Sequence, residues 1–364
     1  MQRIYQIALS KMKGIGPTLT RQLMQHCGTL EGVFKASKQQ LLQIPQIGPS
    51  TIQTLQEGNY LKLAERELQQ IEKMAIQCHW YTEATYPHRL AACSDAPLLL
   101  YTKGNTDLNP TYTVAIVGTR RATAYGARIC EELLAAFKAL NIQIVSGLAF
   151  GIDSIAHRQA LKHQLPTIAV LAHGLDRIYP YAHHQLAKDM LSQGGLVTEF
   201  PLGTPPERVH FPMRNRIIAG MVDLLIVVEA AENGGALITA ELANGYGREV
   251  CAFPGAVDQH YSAGCNYLIK SHRAQLVRDA ADILYLMNWG SVSQQGSKQL
   301  NLMPPNLDPQ AELVYSFIPK DKVIGIQQLA QLTGLTAHQL AVNLINLEML
   351  SLILTFPGKN YRAL

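Results

Sequence analysis

The sequence has no run of about 18 apolar residues, which excludes an ordinary membrane-spanning helix. Its opening residues, "MQRIYQIALSKMKGIG", contain neither an apolar core nor a cleavage site, so nothing in them marks the chain for export. The six cysteines (Cys27, Cys78, Cys93, Cys130, Cys251 and Cys265) show no C-x-x-C spacing. Most lie in apolar runs, the pattern of reduced thiols in a cytoplasmic protein without disulfides or zinc. Charge is also scarce: 16% of residues are charged and the net charge is +4. Such a balance permits an anionic partner without requiring one, so any nucleic-acid site has to be a local patch. Neither G-x-x-x-x-G-K-[ST] nor G-x-G-x-x-G occurs, which removes the P-loop and dinucleotide signatures and any expectation of a cofactor. The histidines His163, His183, His184 and His210 are not spaced as zinc ligands, so no metal is expected either.

The 364 residues suffice for two or three domains. Residues 1–70 look helical and contain an echo, "KGIGPTL" at 13–19 and "PQIGPSTI" at 45–52. Each reads as helix, Ile-Gly-Pro turn, helix, the grammar of a helix-hairpin-helix (SAM-like) domain, with two simple αα-corners as the alternative. Such a turn can face a phosphate, but the basic residues near the first turn are Lys11, Lys13 and Arg21, and none lies near the second. Residues 71–110 form a connector with two short strand-like pieces, 78–82 and 97–104. From 111 to 290 apolar strands alternate with helices, which predicts an α/β fold: a Rossmann-like, doubly wound, mostly parallel sheet. The strands are expected at 113–118, 142–147, 167–171, 195–200, 224–229 and 249–253, with helices beginning near 125, 152, 182, 214 and 236. Residues 291–307 are polar and unpatterned, a linker. Residues 308–364, with three helical runs and a terminal hairpin, suit a winged helix. Its would-be recognition helix, "TAHQLAVNLINLEML", carries no lysine or arginine, so protein contact fits it better than phosphate contact.

Ligands of such sheets sit outside the carboxyl ends of the strands, and the unusual residues fall there. The first turn, "VGTRRATAYG", has one glycine and then two arginines: Gly118, Thr119, Arg120, Arg121. The second strand ends in Ser146-Gly147, and a later block, "FPMRNRIIAG", brings Phe211, Arg214, Asn215 and Arg216, read as lying at a helix N-terminus. Guanidinium groups form bidentate pairs with phosphate. Arginine beside an aromatic suits a single strand, with charge for the backbone and a flat ring for a base. The competing account has Phe211 in the core and Arg216 paired with an acid such as Glu199 or Glu229.

These blocks, with "SGLAFGIDSIAH", "GLDRIYP", "LITAELANGYGREV" and "FPG…GCNYLI", resemble the DNA-processing protein DprA (Smf) family, densely over residues 80–280. The resemblance implies a homodimeric cytoplasmic protein without catalytic activity. Such a protein binds single-stranded DNA during natural transformation, protects incoming strands and loads RecA onto DNA covered by single-strand-binding protein. Carried over, the family's pocket falls on Arg120, Ser146, Gly147, Phe211, Arg214, Asn215 and Arg216, shaped by Gly118, Thr119 and Arg121. The chain departs from the family pattern at Ala172-His173, at Asn233-Gly234 and in "KSHRAQLV", where Lys270 and Arg273 could extend the basic surface. The rival reading is a nucleotide-processing hydrolase, for which Asp153, His157, Glu199 and Glu229 offer acids and bases. The bland account of the same residues is that Asp153 caps its helix and the glutamates orient the arginines.

Overall fold

The computed structural model describes residues 2–12, 14–289, 307–319, 322–350, 352–356 and 359–363. Lys13, Lys320, Asp321 and all of the expected linker except Leu307 lie outside them. Two compact units result, residues 1–290 and 291–364.

In the first unit one sheet holds nine strands among the described residues. They are β1 (Gln77–Trp80), β2 (Leu99–Gly104), β3 (Thr113–Val117), β4 (Gln143–Ser146), β5 (Thr167–Val170), β6 (Gly194–Thr198), β7 (Leu224–Val227), β8 (Glu249–Ala252) and β9 (Gln275–Leu276). Their order is β1-β2-β6-β5-β4-β3-β7-β8-β9. All neighbours from β6 to β9 are parallel, and β1 and β2 add antiparallel at one edge. The first parallel strand, β3, therefore lies in the middle, and the chain winds outward from it on both sides.

The sheet is covered on both faces, so its strands read as continuous apolar runs. The two-residue period sorts those runs: Val114 and Ile116 join the layer of the helices Ala124–Phe137 and Ile152–Lys162. Ala115 and Val117 join the layer of His210–Gly220 and Gly235–Gly245. The connector is part of this sheet rather than a lead into it. Buried Arg89 donates to Asp223, Pro110 O and Thr111 O, fastening that segment to the amino ends of β3 and β7.

The N-terminal helices share a core with the β2-β6-β5 side of the sheet, where Ile7, Leu9, Leu23 and Ile71 pack with Trp80, Tyr101 and Leu196. Both Ile-Gly-Pro turns end where the reading placed them, since Pro17 and Pro49 each open a helix behind Gly16 and Gly48. Buried Glu67 joins the two parts, pairing with Lys11 and accepting from Leu202 N at 3.2 Å.

The second unit is a helix Pro309–Ser316, β10 (Ile324–Gly325), helices Ile326–Thr333 and Ala337–Met349, then β11 (Ile353–Phe356) and β12 (Asn360–Ala363). Its three strands order β10-β12-β11 around Val314, Leu329, Leu340 and Leu344. The helix Ala337–Met349 leaves Val342, Ile345 and Met349 exposed. Among the described residues no helix is long and apolar enough to cross a membrane.

Candidate functional site

A cleft of about 330 Å³ opens at the carboxyl ends of β3 and β7, where the winding reverses. Gly118, Thr119 and Arg120 form one side, Phe211, Arg214 and Asn215 another, and the start of the helix Gly235–Gly245 a third. The Arg120 turn is held by the main chain: Thr119 N donates to Glu229 O at 2.7 Å and Ile152 N to Thr119 O at 3.1 Å. Buried Glu229 finishes the turn, accepting from Thr123 N and Thr123 Oγ1 at 2.9 and 2.5 Å. Arg120 itself is exposed, its guanidinium 5.7 Å from the centre of the Phe211 ring, which in turn lies 6.0 Å from Tyr179. Among the described residues it has no carboxylate partner.

Arg214 differs in kind. Only 5% exposed, it reaches across the ends of β4 and β5 to donate to Gly147 O at 2.5 Å and to Val170 O. Burial pushes its pKa down to about 10, opposed by Asp153 and helped by Arg120, so it stays cationic at neutral pH. Gly147 makes room for it, because a Cβ there would stand 2.5 Å from both terminal nitrogens. Arg214 thus builds part of the cleft wall, with its Nε and Nη1 bonded within the protein.

Comparisons with known proteins assign the chain to a family. The model of the DNA recombination-mediator protein A family matches residues 77–288. The protein Smf of Synechocystis sp. is 30% identical, across 99% of this chain and 98% of its own. The chain belongs to the DprA/Smf family. A SAM-like helix-hairpin-helix tandem matches residues 7–58. The X-ray structure of DprA from Streptococcus pneumoniae superposes with a TM-score of 0.67 at 33% identity, covering 78% of this chain and 97% of that one. DprA from Helicobacter pylori, described for its single-stranded DNA binding mode, gives 0.53 at 27% identity, covering 58% and 95%.

Of the residues that the DprA/Smf resemblance pointed to, the cleft gathers Gly118, Thr119, Arg120, Phe211, Arg214 and Asn215. The other four lie elsewhere. Ser146 is fully buried and donates to Ile116 O at 2.6 Å, tying β4 to β3. Gly147 O is taken by Arg214. Arg121 is exposed on the far side of the Arg120 turn. Arg216 points away to Glu199 and Asp95 O, the pairing that the competing account foresaw. The helix that carries these residues begins at His210, one turn before the expected start, so Arg214 is not at its N-terminus. Pro212 explains the shift, since proline lacks the donor that first-turn residues do not use. Lys270 and Arg273 do not reach the cleft. Arg273 pairs with Glu241, and its carbonyl meets Asn244 at the opposite end of the helix that starts at the cleft, roughly 14 Å along.

The acids of the hydrolase reading are all engaged. Asp153 accepts from Gly147 N and Ala149 N at 3.1 and 3.4 Å, closing the turn before its helix instead of capping it. Glu229 holds Thr123, and Glu199 holds Arg216. His157 is fully buried against Thr167 Oγ1 at 2.7 Å, its pKa pushed down to about 3 by burial and by the neighbouring His183 and Arg214. The folded chain leaves this ring neutral, while the unfolded chain protonates it below the ordinary value near 6.5, so stability falls as pH falls through that window. Relative to His157→Gln, the wild type should lose about 1.4 kcal/mol of unfolding free energy per pH unit from about pH 6 to about pH 4. Urea denaturation at several pH values checks it, and parallel slopes for the two proteins would refute it.

Sequence reasoning passed over the exposed aromatics Phe150, Tyr179 and Tyr181. Their signal was an aromatic inside a Gly- or Pro-bearing loop at a strand's carboxyl end, where a core residue is not needed.

Proposed function

We propose that this chain binds single-stranded DNA through the cleft at the ends of β3 and β7, with Arg120 on the phosphate backbone and Phe211 under a base. The observation that carries the reading is an exposed, acid-free Arg120 set over an aromatic ring on a main-chain-bonded turn. The Helicobacter relative, described for its single-stranded DNA binding mode, supports it. Gly118, Thr119 and Asn215 shape the cleft; Arg214, Gly147 and Ser146 act from behind it, and Arg216 through Glu199.

In this reading the chain is a binding protein and not an enzyme, handling strands in the cytoplasm during natural transformation and homologous recombination. The family's description as a recombination mediator supports RecA as the partner that receives the strand, in competition with single-strand-binding protein. A second copy of the chain completes the assembly. We read residues 308–364 as a winged helix, on the order helix, strand, two helices and hairpin. Its third helix presents Val342, Ile345 and Met349 and carries no lysine or arginine, which favours a protein contact.

Fluorescence anisotropy in EDTA with labelled oligo-dT and a matched duplex tests the central claim. The single strand should bind more tightly than the duplex. With about four phosphates engaged, its log–log salt slope should be near −3, from about −0.7 for each. A slope near zero, or equal binding of the duplex, would sink it.

A further inference from the structure

Arg120 stands between two clefts. Beyond it, on the side away from Phe211, a second one of about 460 Å³ is lined by Arg120, Arg121, Phe150, Ser154, Arg158 and His183 among others, with no carboxylate. The turn that carries Phe150 is locked to the turn that carries Arg120. Gly151 has φ +77°, and a Cβ on it would stand 2.2 Å from Thr119 O and 2.8 Å from Arg120 Cα, so the two backbones touch where only hydrogen fits. The Ile152 N–H to Thr119 O bond closes the same contact. Leu148, at φ +59°, bends the chain into the turn and is itself fully buried.

On this fixed support the Phe150 ring is half open to water, at 50% exposure. Its inner side meets the His183 ring edge-on at 4.8 Å between centres. His183 is buried and held through Nδ1, 2.8 Å from Leu148 O. The ring is thus braced from behind and bare in front. Arg121 and Arg158 flank it, both exposed and, among the described residues, without an ion-pair partner. Elsewhere in the unit, surface arginines such as Arg177, Arg273 and Arg278 do find carboxylates. Uncompensated guanidinium groups around a rigid, bare aromatic meet the needs of a single strand: phosphates for the cations, a base for the ring. A small anion would leave the ring unused, and a paired base could not lie flat on it.

The geometry points to a second strand-binding subsite, rested on the single-stranded DNA reading of the first. The strand leaves the first cleft over Arg120, its next phosphates pair with Arg121 and Arg158, and a base stacks on Phe150. Because Arg120 borders both clefts, the two subsites lie on one continuous path and fill together on a long enough strand.

Anisotropy with a long oligo-dT, using the full chain, tests this with four variants. Phe150→Ala should weaken binding on the order of tenfold, the effect of one lost base stack, and Phe150→Trp should restore it. Arg158→Ala should make the log–log salt slope shallower by about 0.7, one phosphate. If Phe150→Ala and Arg158→Ala bind like the wild type while Arg120→Ala does not, the strand never enters the second cleft, and the inference falls while the first site stands. A loss in Phe150→Ala that tryptophan does not repair would overturn stacking. If Arg120→Ala also binds like the wild type, the reading of the first cleft falls as well.

Discussion

Arg120→Ala binds oligo-dT about tenfold to about a hundredfold more weakly than the wild type, and melts at the same temperature. The first half follows from what the guanidinium can give: a charge-assisted hydrogen bond to phosphate contributes about 1.5–3 kcal/mol. The second half follows from what it does not do. Among the described residues Arg120 makes no side-chain hydrogen bond and no ion pair, and its contact with Phe211 lies at the surface. Removing it therefore orphans no buried group. Arg120→Lys should recover part of the affinity, since a lysine keeps the charge but loses the two-pronged geometry. Anisotropy and a thermal melt decide the matter together, and a variant that binds normally places the strand elsewhere.

Arg214→Ala is expected to act on the fold. It strands Gly147 O and Val170 O inside the protein, each a loss of about 1–3 kcal/mol, and leaves a hole beside Asp153. Burial already pushes the Asp153 carboxyl up from its ordinary value, with the Arg214 charge as the main opposing influence, so that carboxylate loses support too. Together these lower the unfolding free energy by about 3–5 kcal/mol, read by urea denaturation. Arg214→Lys should rescue only part, because a lone ammonium cannot both meet the two carbonyls that Nη1 serves and replace the Nε bond to Asn215 Oδ1. Gly147→Ala should reach the same state from the other side, by pushing its methyl into the guanidinium. Full stability with lost binding would instead put Arg214 on the strand.

The contrast between these two arginines marks how far the sequence could be read. The six central strands were legible because a sheet covered on both faces has to be apolar along its whole length, and β3, β4, β5, β6, β7 and β8 all lie within the expected spans to a residue or so. The cleft's address was legible too, since clefts of such sheets open at the carboxyl ends of the strands, where the unusual residues fall. Burial was not legible. Arg120 and Arg214 look alike as letters, yet one hangs in water and the other bridges two strand ends. What decides between them is the helix start at His210, which Pro212 could have indicated. Phe150 was missed for the reverse reason: a phenylalanine reads as core until the locked turn beneath it is seen.

The central place of β3 also sets a timetable. One wall of the cleft belongs to β3 and its turn, and the facing wall to the segment that follows β7, and the two strands meet through pairs such as Val117 and Val227. Roughly a hundred residues separate those partners, so a chain emerging from the ribosome can lay β4 and β5 beside β3 well before β7 arrives. Until then Arg120 overlooks an open sheet edge. The first cleft is completed in one late step, and a chain cut short before that step has the Arg120 turn without the wall that the residues after β7 provide.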